Sequence, residues 1–342
     1  MFKSISESSE LNVLVTGGLG YIGSHVYCSL VDQNISVDIV DNLSNSSESV
    51  TECLKKISKT DPNVFIEDIS NRDALDSICS NKKYDAIIHC AGNKSVPESI
   101  IQPEKYLVDN INLLKNVLFA SKKYKIKNLI FSSTAAVYKQ ANQAVVENSI
   151  LEPLNPYSIS KLECEKMIKR FAKDNAHFTY IIFRYFNPIG AHRSGLIGDN
   201  PIIDQGGIIS AIRNAINSND NVKIFGSDYP TIDGTPVRDF LHIEDLAYAH
   251  LLALKQLRLS HFQNEIFNIG TGNGCSVMQL IEKYYEVSKA KSNYVFSRRR
   301  ESDLYYSVSD VTKLKKSFNF IPSKSIEEMC KSDWVFFEKN IA

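Results

Sequence analysis

The chain has 342 residues, and Lys plus Arg equals Asp plus Glu at 39 each, so no net field draws it to nucleic acid or an anionic membrane. Hydrophobic residues at 43% and charged residues at 23% are globular proportions, enough for one large or two ordinary domains. Met1 to Glu10 lacks the apolar core of a signal peptide, and seven cysteines without a CxxC pair point to reduced thiols in the cytoplasm, not to disulfides or a metal.

Leu11 to Thr16 is an apolar, β-branched run too short for a helix and reads as a buried strand. Gly17, Gly20 and Gly23 follow where a strand must turn into a helix and let backbone N–H groups approach a phosphate. Ser24 to Gln33 reads as that helix. Ser36 to Val40 is a second strand, ending in Asp41-Asn42 about twenty residues past the glycines. A carboxylate at that tip can accept from both ribose hydroxyls and would repel a 2′-phosphate, so NAD is expected over NADP.

The third strand, Val64 to Ile69, brings Asp68-Ile69 to the adenine. The fourth, Asp85 to Gly92, ends in Cys90-Ala91-Gly92, small residues over which a dinucleotide can lie. The fifth, Lys127 to Thr134, ends in hydroxyls. With helices between them, these strands predict an α/β fold, a Rossmann-type doubly wound parallel sheet that binds ligands beyond the carboxyl ends of its strands.

Tyr157 and Lys161 stand four apart on the next helix and share a face. A phenol of pKa ~10 is a poor base in neutral water, but a cation one turn away favours the phenolate. The pair therefore suits removal and return of a hydroxyl proton. In isolation YxxxK is usually a core Tyr beside a solvated Lys, and the dinucleotide fold upstream is what gives it meaning. His89 and His192 lie in unrelated segments without ligand spacing and read as structural.

Thr134, Tyr157 and Lys161 on this fold resemble the Ser/Thr…YxxxK signature of the extended short-chain dehydrogenase/reductase superfamily. VTGGLGYIGSH (15–25), DNLSNS (41–46), HCAGNKSVPES (89–99), NPYSISK (155–161), RYFNPIGAH (184–192) and IFGSDYPTIDGTPVRDFLHIEDLA (224–247) are similar to the UDP-glucose 4-epimerases within it. That resemblance implies catalytic roles for Tyr157, Lys161 and Thr134. It implies an NAD site of Gly17, Gly20, Tyr21, Ile22, Gly23, Asp41, Asn42, Asn45, Ser46, Asp68, Ile69, Cys90, Ala91, Gly92, Lys94, Asn110 and Tyr185, together with the catalytic three. It places UDP-sugar contacts at Lys94, Ser95, Thr134, Tyr157, Asn187, Gly207, Ile208, Lys223, Phe225, Arg238, Arg300, Asp303 and Ser307. Arg238 and Arg300 are planar forks suited to phosphate oxygens.

The implied reaction is redox without net oxidation. Tyr157 takes the proton of the sugar 4-hydroxyl while hydride passes to the nicotinamide, the 4-ketose turns over, and hydride returns to its other face. Lys161 would depress the pKa of Tyr157. A homodimer is also implied, through helices of the first domain for which Asn110 to Lys122 and Leu162 to Lys173 are candidates.

The chain departs from the family pattern in several places. Thr134 stands where Ser is common, which keeps the hydroxyl but restricts its rotamer. Lys139 replaces a usual Gly, a loop change of little expected consequence. Gly206-Gly207 replaces an Asn-bearing pair, loosening the backbone and removing a side-chain contact. Ser307 falls at the position that limits room at the sugar C2, so UDP-GlcNAc and UDP-GalNAc are expected to fit beside UDP-Glc and UDP-Gal. A register shift by one residue would put Tyr306 there and reverse that inference.

Residues 1–188 are expected to form the NAD domain, with about 236–270 returning to it, and 189–235 and 271–342 the smaller mixed α/β substrate domain. A decarboxylase or dehydratase is the neighbouring alternative, but a 4,6-dehydratase would carry Asp-Glu where Ala135-Ala136 stand. A non-catalytic NAD-sensing protein on the same fold would be expected to lose Tyr157 or Lys161, and both are present.

Overall fold

A computed structural model describes residues 11–200, 207–259, 264–300 and 303–341, so Met1 to Glu10 and Gly206 lie outside the described residues. In chain order the strands are β1 (Asn12–Thr16), β2 (Ser36–Asp41), β3 (Asn63–Ile66), β4 (Ala86–His89), β5 (Asn128–Thr134), β6 (Thr179–Tyr185), β7 (Asn187–Ile189), β8 (Val222–Phe225), β9 (Val237–His242), β10 (Glu265–Ile269), β11 (Gly274–Ser276), β12 (Tyr294–Ser297) and β13 (Tyr306–Ser307). The helices are α1 (Tyr21–Val31), α2 (Ser49–Ser58), α3 (Arg72–Asn81), α4 (Val96–Ile101), α5 (Pro103–Lys123), α6 (Pro156–Asp174), α7 (Ile208–Ser218), α8 (Ile243–Arg258), α9 (Val277–Ser288), α10 (Thr312–Phe318) and α11 (Ile326–Ile341).

The expected doubly wound sheet is present, wholly parallel, in the order β10-β6-β5-β4-β1-β2-β3. Its central strands are unbroken apolar runs because helices cover both faces. Alternate residues divide between two cores. Val13, Val15, Ile88 and Ile181 pack with α1, α2 and α8, whereas Leu14, Ile87, Leu129 and Ile182 pack with α3, α5 and α6. A small sheet, β11-β9-β13 with β7 beside β9, and a separate parallel pair, β8 and β12, sit under α7, α9 and α11. The chain rejoins the large layer at α8, which packs on α1, and at β10, which pairs with β6.

Several boundaries differ from the sequence reading. Helix α1 starts at Tyr21 and not Ser24, so Gly23 lies inside its first turn. Strand β3 stops at Ile66, leaving Asp68 and Ile69 in the loop beyond it. Asn187 and Pro188 do not close β6; they open β7 in the small sheet. Helices α5 and α6 begin at Pro103 and Pro156, earlier than the apolar period suggests, because proline suits a first helical position. In α6 Asn155 accepts from Ser158 N at 2.9 Å and Ser158 Oγ accepts from Asn155 N at 3.3 Å, a reciprocal cap that brings Tyr157 into the helix.

All seven cysteines are free. Among the described residues no helix is long and apolar enough to cross a membrane, and no group of His, Cys, Asp and Glu is arranged to hold a metal. Burial lowers His25 and His89 to about 3 and His242 and His250 to about 4. An unfolded His binds its proton near pH ~6.5, so from there down to those values the unfolded chain holds more protons than the folded one, and stability rises with pH. Scanning calorimetry should therefore show Tm falling steadily from about pH 7.5 to about pH 5, each His costing about 1–2 kcal/mol at the lower end. A flat Tm would contradict neutral, buried imidazoles.

Candidate active site

The glycine turn after β1 is built without spare room. Gly17 has φ +67°, and a Cβ there would lie 2.7 Å from Ala91 N. At Gly23 a Cβ would lie 2.2 Å from the Gly17 carbonyl, so α1 packs its first turn directly on the loop. Asp41 holds this turn from β2: its carboxylate accepts from Leu19 N at 3.0 Å, Leu43 N at 2.9 Å and Ser46 Oγ at 2.8 Å. That fills three of the roughly four lone-pair sites of a carboxylate, so Asp41 braces the loop and has little capacity left for a ribose.

Beyond the strand ends lies a cleft of about 440 Å³, lined by Gly17, Gly20, Tyr21, Ile22, Gly23, Asp41, Asn42, Asn45, Ser46, Asp68, Ile69, Cys90, Ala91, Gly92 and Lys94. Asn42 Nδ2 donates to Asp68 Oδ2 at 3.2 Å across its rim. The N-terminus of α1, the close-packed glycines and the acidic rim fit an extended dinucleotide whose pyrophosphate meets the backbone. Asn110 and Tyr185 are not in this lining. Asn110 is buried, donates to Asn93 O at 3.1 Å and Ser160 Oγ at 2.9 Å and accepts from Asn93 N at 2.8 Å, so it ties the loop after Gly92 to α6. The Tyr185 hydroxyl is hydrogen-bonded to Ser132 Oγ at 2.9 Å and His250 Nε2 at 2.6 Å, among buried groups.

Thr134 ends β5, and Tyr157 and Lys161 stand in the first two turns of α6. Burial pushes the Tyr157 phenol above its ordinary value, and a hydrogen bond with Thr134 pulls it back. The expected depression by Lys161 is not imposed by the protein alone. Lys161 is itself buried, which lowers its pKa, and its Nζ donates to Ser132 O at 3.0 Å.

The sequence reading missed what fixes this trio. Arg184 meets Glu165 through two parallel bonds of 2.9 and 2.7 Å, and Ser133 Oγ donates to the same carboxylate at 2.6 Å. Glu165 stands one turn past Lys161, a spacing that could have signalled it.

The cations expected at the substrate lie outside this cleft lining, on β8, β9 and the segment before β13, and are held by neighbours. Arg238 donates to Asp303 Oδ1 at 2.5 Å, and the Arg300 guanidinium lies 3.9 Å from the centre of the Phe225 ring. Lys223 and Phe225 share a face of β8. In the register of β13 on β9, Ser307 pairs with Arg238 and Tyr306 with Val237. Paired residues point the same way, so Ser307 shares the face of Arg238 and Tyr306 takes the other.

Gly207 caps α7 next to Ile208, and among the described residues a Cβ there would meet only Ser210 Oγ at 4.0 Å. Asn187 opens β7 opposite Phe240. Ser95 is buried and caps α4, its Oγ accepting from Glu98 N at 3.3 Å. Lys94 Nζ lies 3.6 Å from Asp199.

A glycine-cradled dinucleotide cleft joined to a Thr, Tyr and Lys trio defines the class, an NAD-dependent enzyme of the extended short-chain dehydrogenase/reductase type. More narrowly, the chain belongs to the NAD dependent epimerase/dehydratase family, which it matches over residues 13–270. It is 36% identical to UDP-glucose 4-epimerase 2 of Arabidopsis thaliana over 334 residues, 96% of this chain and 95% of that protein. A UDP-glucose-4-epimerase from Stenotrophomonas maltophila, solved with bound NAD and formylated UDP-arabinopyranose, superposes with a TM-score of 0.93 at 34% identity, covering 97% of this chain and 99% of that one. The UDP-Glc/GlcNAc 4-epimerase of Campylobacter jejuni superposes with a TM-score of 0.83 at 33% identity over 96% and 99% of the two chains.

Gly23→Ala should abolish retention of NAD, because the added methyl displaces the Gly17 carbonyl from the turn. The check is the nucleotide content of purified protein, with far-UV circular dichroism reporting that the sheet is intact. Full NAD occupancy in this variant would mean that the turn can shift.

Proposed function

We propose that the protein interconverts UDP-hexoses at C4 through a transient 4-keto sugar, with NAD as a resident cofactor. The observation that carries this reading is Tyr157 in the first turn of α6 with buried Lys161 one turn on, its Nζ donating to Ser132 O at 3.0 Å beside Thr134 at the end of β5, in a chain of the NAD dependent epimerase/dehydratase family. Bound NAD supplies the hydride acceptor, and then the donor, at the nicotinamide. Tyr157 takes the 4-hydroxyl proton and later returns it, while Thr134 holds the reacting oxygen in line. Lys161, with one proton donated to Ser132 O, has two more to offer the cofactor ribose and the phenol edge.

Arg238 and Arg300 suit the pyrophosphate and Phe225 the uridine, so the nucleotide is gripped while the sugar turns. The open space at Gly207 and the small Ser307 leave the sugar loosely held, as presentation of both faces requires. The likeness to a UDP-Glc/GlcNAc 4-epimerase supports acceptance of N-acetyl sugars as well. Exposed Val108 and Phe119 on α5 and Ile159 on α6 support a homodimer through these helices, and seven free thiols support a cytoplasmic setting.

Tyr157→Phe should lower turnover of UDP-Gal by a factor on the order of 10²–10⁴, the usual range for loss of a general acid–base, with UDP affinity retained. Full activity in that variant would remove the phenol from the reaction. Ser307→Tyr should suppress turnover of UDP-GalNAc selectively and spare UDP-Gal, as read by a side-by-side coupled assay without added NAD. Equal effects on both sugars would remove Ser307 from the C2 pocket.

A further inference from the structure

We propose that Gln140, on the loop leaving β5, is a positioning residue that sets where the UDP-sugar lies relative to Thr134 and Tyr157; this rests on the epimerase reading above. Gln140 is six residues past Thr134 and touches neither the cleft lining nor the catalytic trio. Its amide instead reaches across to the segment that carries Asp303 and Ser307. Oε1 accepts from Tyr305 N at 2.8 Å, and Nε2 donates to Tyr306 O at 3.3 Å and to Ala141 O.

On its other side this segment is held by β9. Val237 N donates to Tyr305 O at 2.8 Å, and Ser307 pairs with Arg238. Further along, Val145 N donates to Val308 O and Asp310 N to Val145 O, both at 2.9 Å, so the same loop continues as a backbone ladder. Gln140 therefore supplies from a side chain the grip that the backbone supplies at Val145.

The geometry suits a carboxamide in particular. One fork must accept an N–H and the other must donate to a carbonyl, which a neutral amide does and a carboxylate cannot. Without the clamp, the backbone of Tyr305 and Tyr306 keeps its pairing with β9, and the Tyr305 ring its stacking on Tyr229 at 6.5 Å, but both lose their tie to the loop after β5. Asp303, which restrains Arg238, and Ser307, at the sugar C2, then lose their fixed distance from the end of β5.

The test compares Gln140→Ala, Gln140→Glu and the unmodified protein on UDP-Gal and UDP-GalNAc, with UDP affinity measured by calorimetry. In Gln140→Ala, KM for UDP-Gal and Kd for UDP should each rise about tenfold, the weight of one to two hydrogen bonds, with kcat changed less than about threefold. The ratio of kcat/KM between the two sugars should also shift, which a merely structural loss would not produce. Gln140→Glu, keeping the acceptor and losing the donor, should fall between. Unchanged UDP affinity and an unchanged sugar ratio would overturn the role, as would equal losses on both sugars accompanied by a lower Tm. Should the unmodified protein bind UDP without turning over either sugar, the epimerase reading fails, and the clamp stands or falls on the UDP affinities alone.

Discussion

The buried ion pair between Arg184 and Glu165 is the constraint on which the site depends. Both side chains are almost wholly out of water, and each is fully engaged. Arg184 also donates to Tyr138 OH and to Glu147 O, both at 2.9 Å, and Tyr138 OH donates to Asn268 Oδ1 at 2.6 Å. Taking two charges out of water costs about as much as their attraction returns, so the pair adds little net stability. What it adds is a fixed geometry, because removing either Arg184 or Glu165 strands a buried charge. The members sit on β5, α6, β6 and β10, next to Thr134 and one turn from Lys161. The alignment of Tyr157 with Thr134 is a property of this network more than of the local helix.

The two sides of the proposed site obey different physics. On the catalytic side burial pushes the Tyr157 phenol up and Lys161 down, while a hydroxyl on Thr134 pulls the phenol back. On the nucleotide side Arg238 is also desolvated, with its pKa lowered by burial while Asp303 pulls it up. In the proposed site, Gly207 and Ser307 would present space and backbone in place of large side chains, and firm phosphate contacts around a weakly bonding sugar would suit a ring that must expose both faces in turn.

Much of this was legible in the sequence because it is written locally. The glycine spacing, the apolar strand runs and the Tyr157 to Lys161 interval are short-range patterns with one physical reading each. Less was legible where tertiary structure decides. The start of α6 depends on Asn155 and Ser158 capping each other, not on an apolar period. Asp41 has the right position for a ribose, but that its carboxylate also braces the loop, accepting from Leu19 N, Leu43 N and Ser46 Oγ, is not written in the spacing. The Tyr157 pKa follows from burial, which a spacing argument does not contain. Lys139 did prove a surface change, pairing with Glu152 at 2.9 Å, but its neighbour Gln140 spans the walls, and no motif marks it.

The route of the chain has a further consequence. Strand β6 gains its outer neighbour β10 only after the polypeptide has left to build β7, β8 and β9 and has returned through α8. During synthesis the large sheet therefore waits, with β6 as a raw edge, until the first part of the second lobe, β7 to β9, has emerged. The lobes are topologically spliced, not appended. A single cut in such a chain separates neither lobe whole, so neither can be exchanged by one crossover.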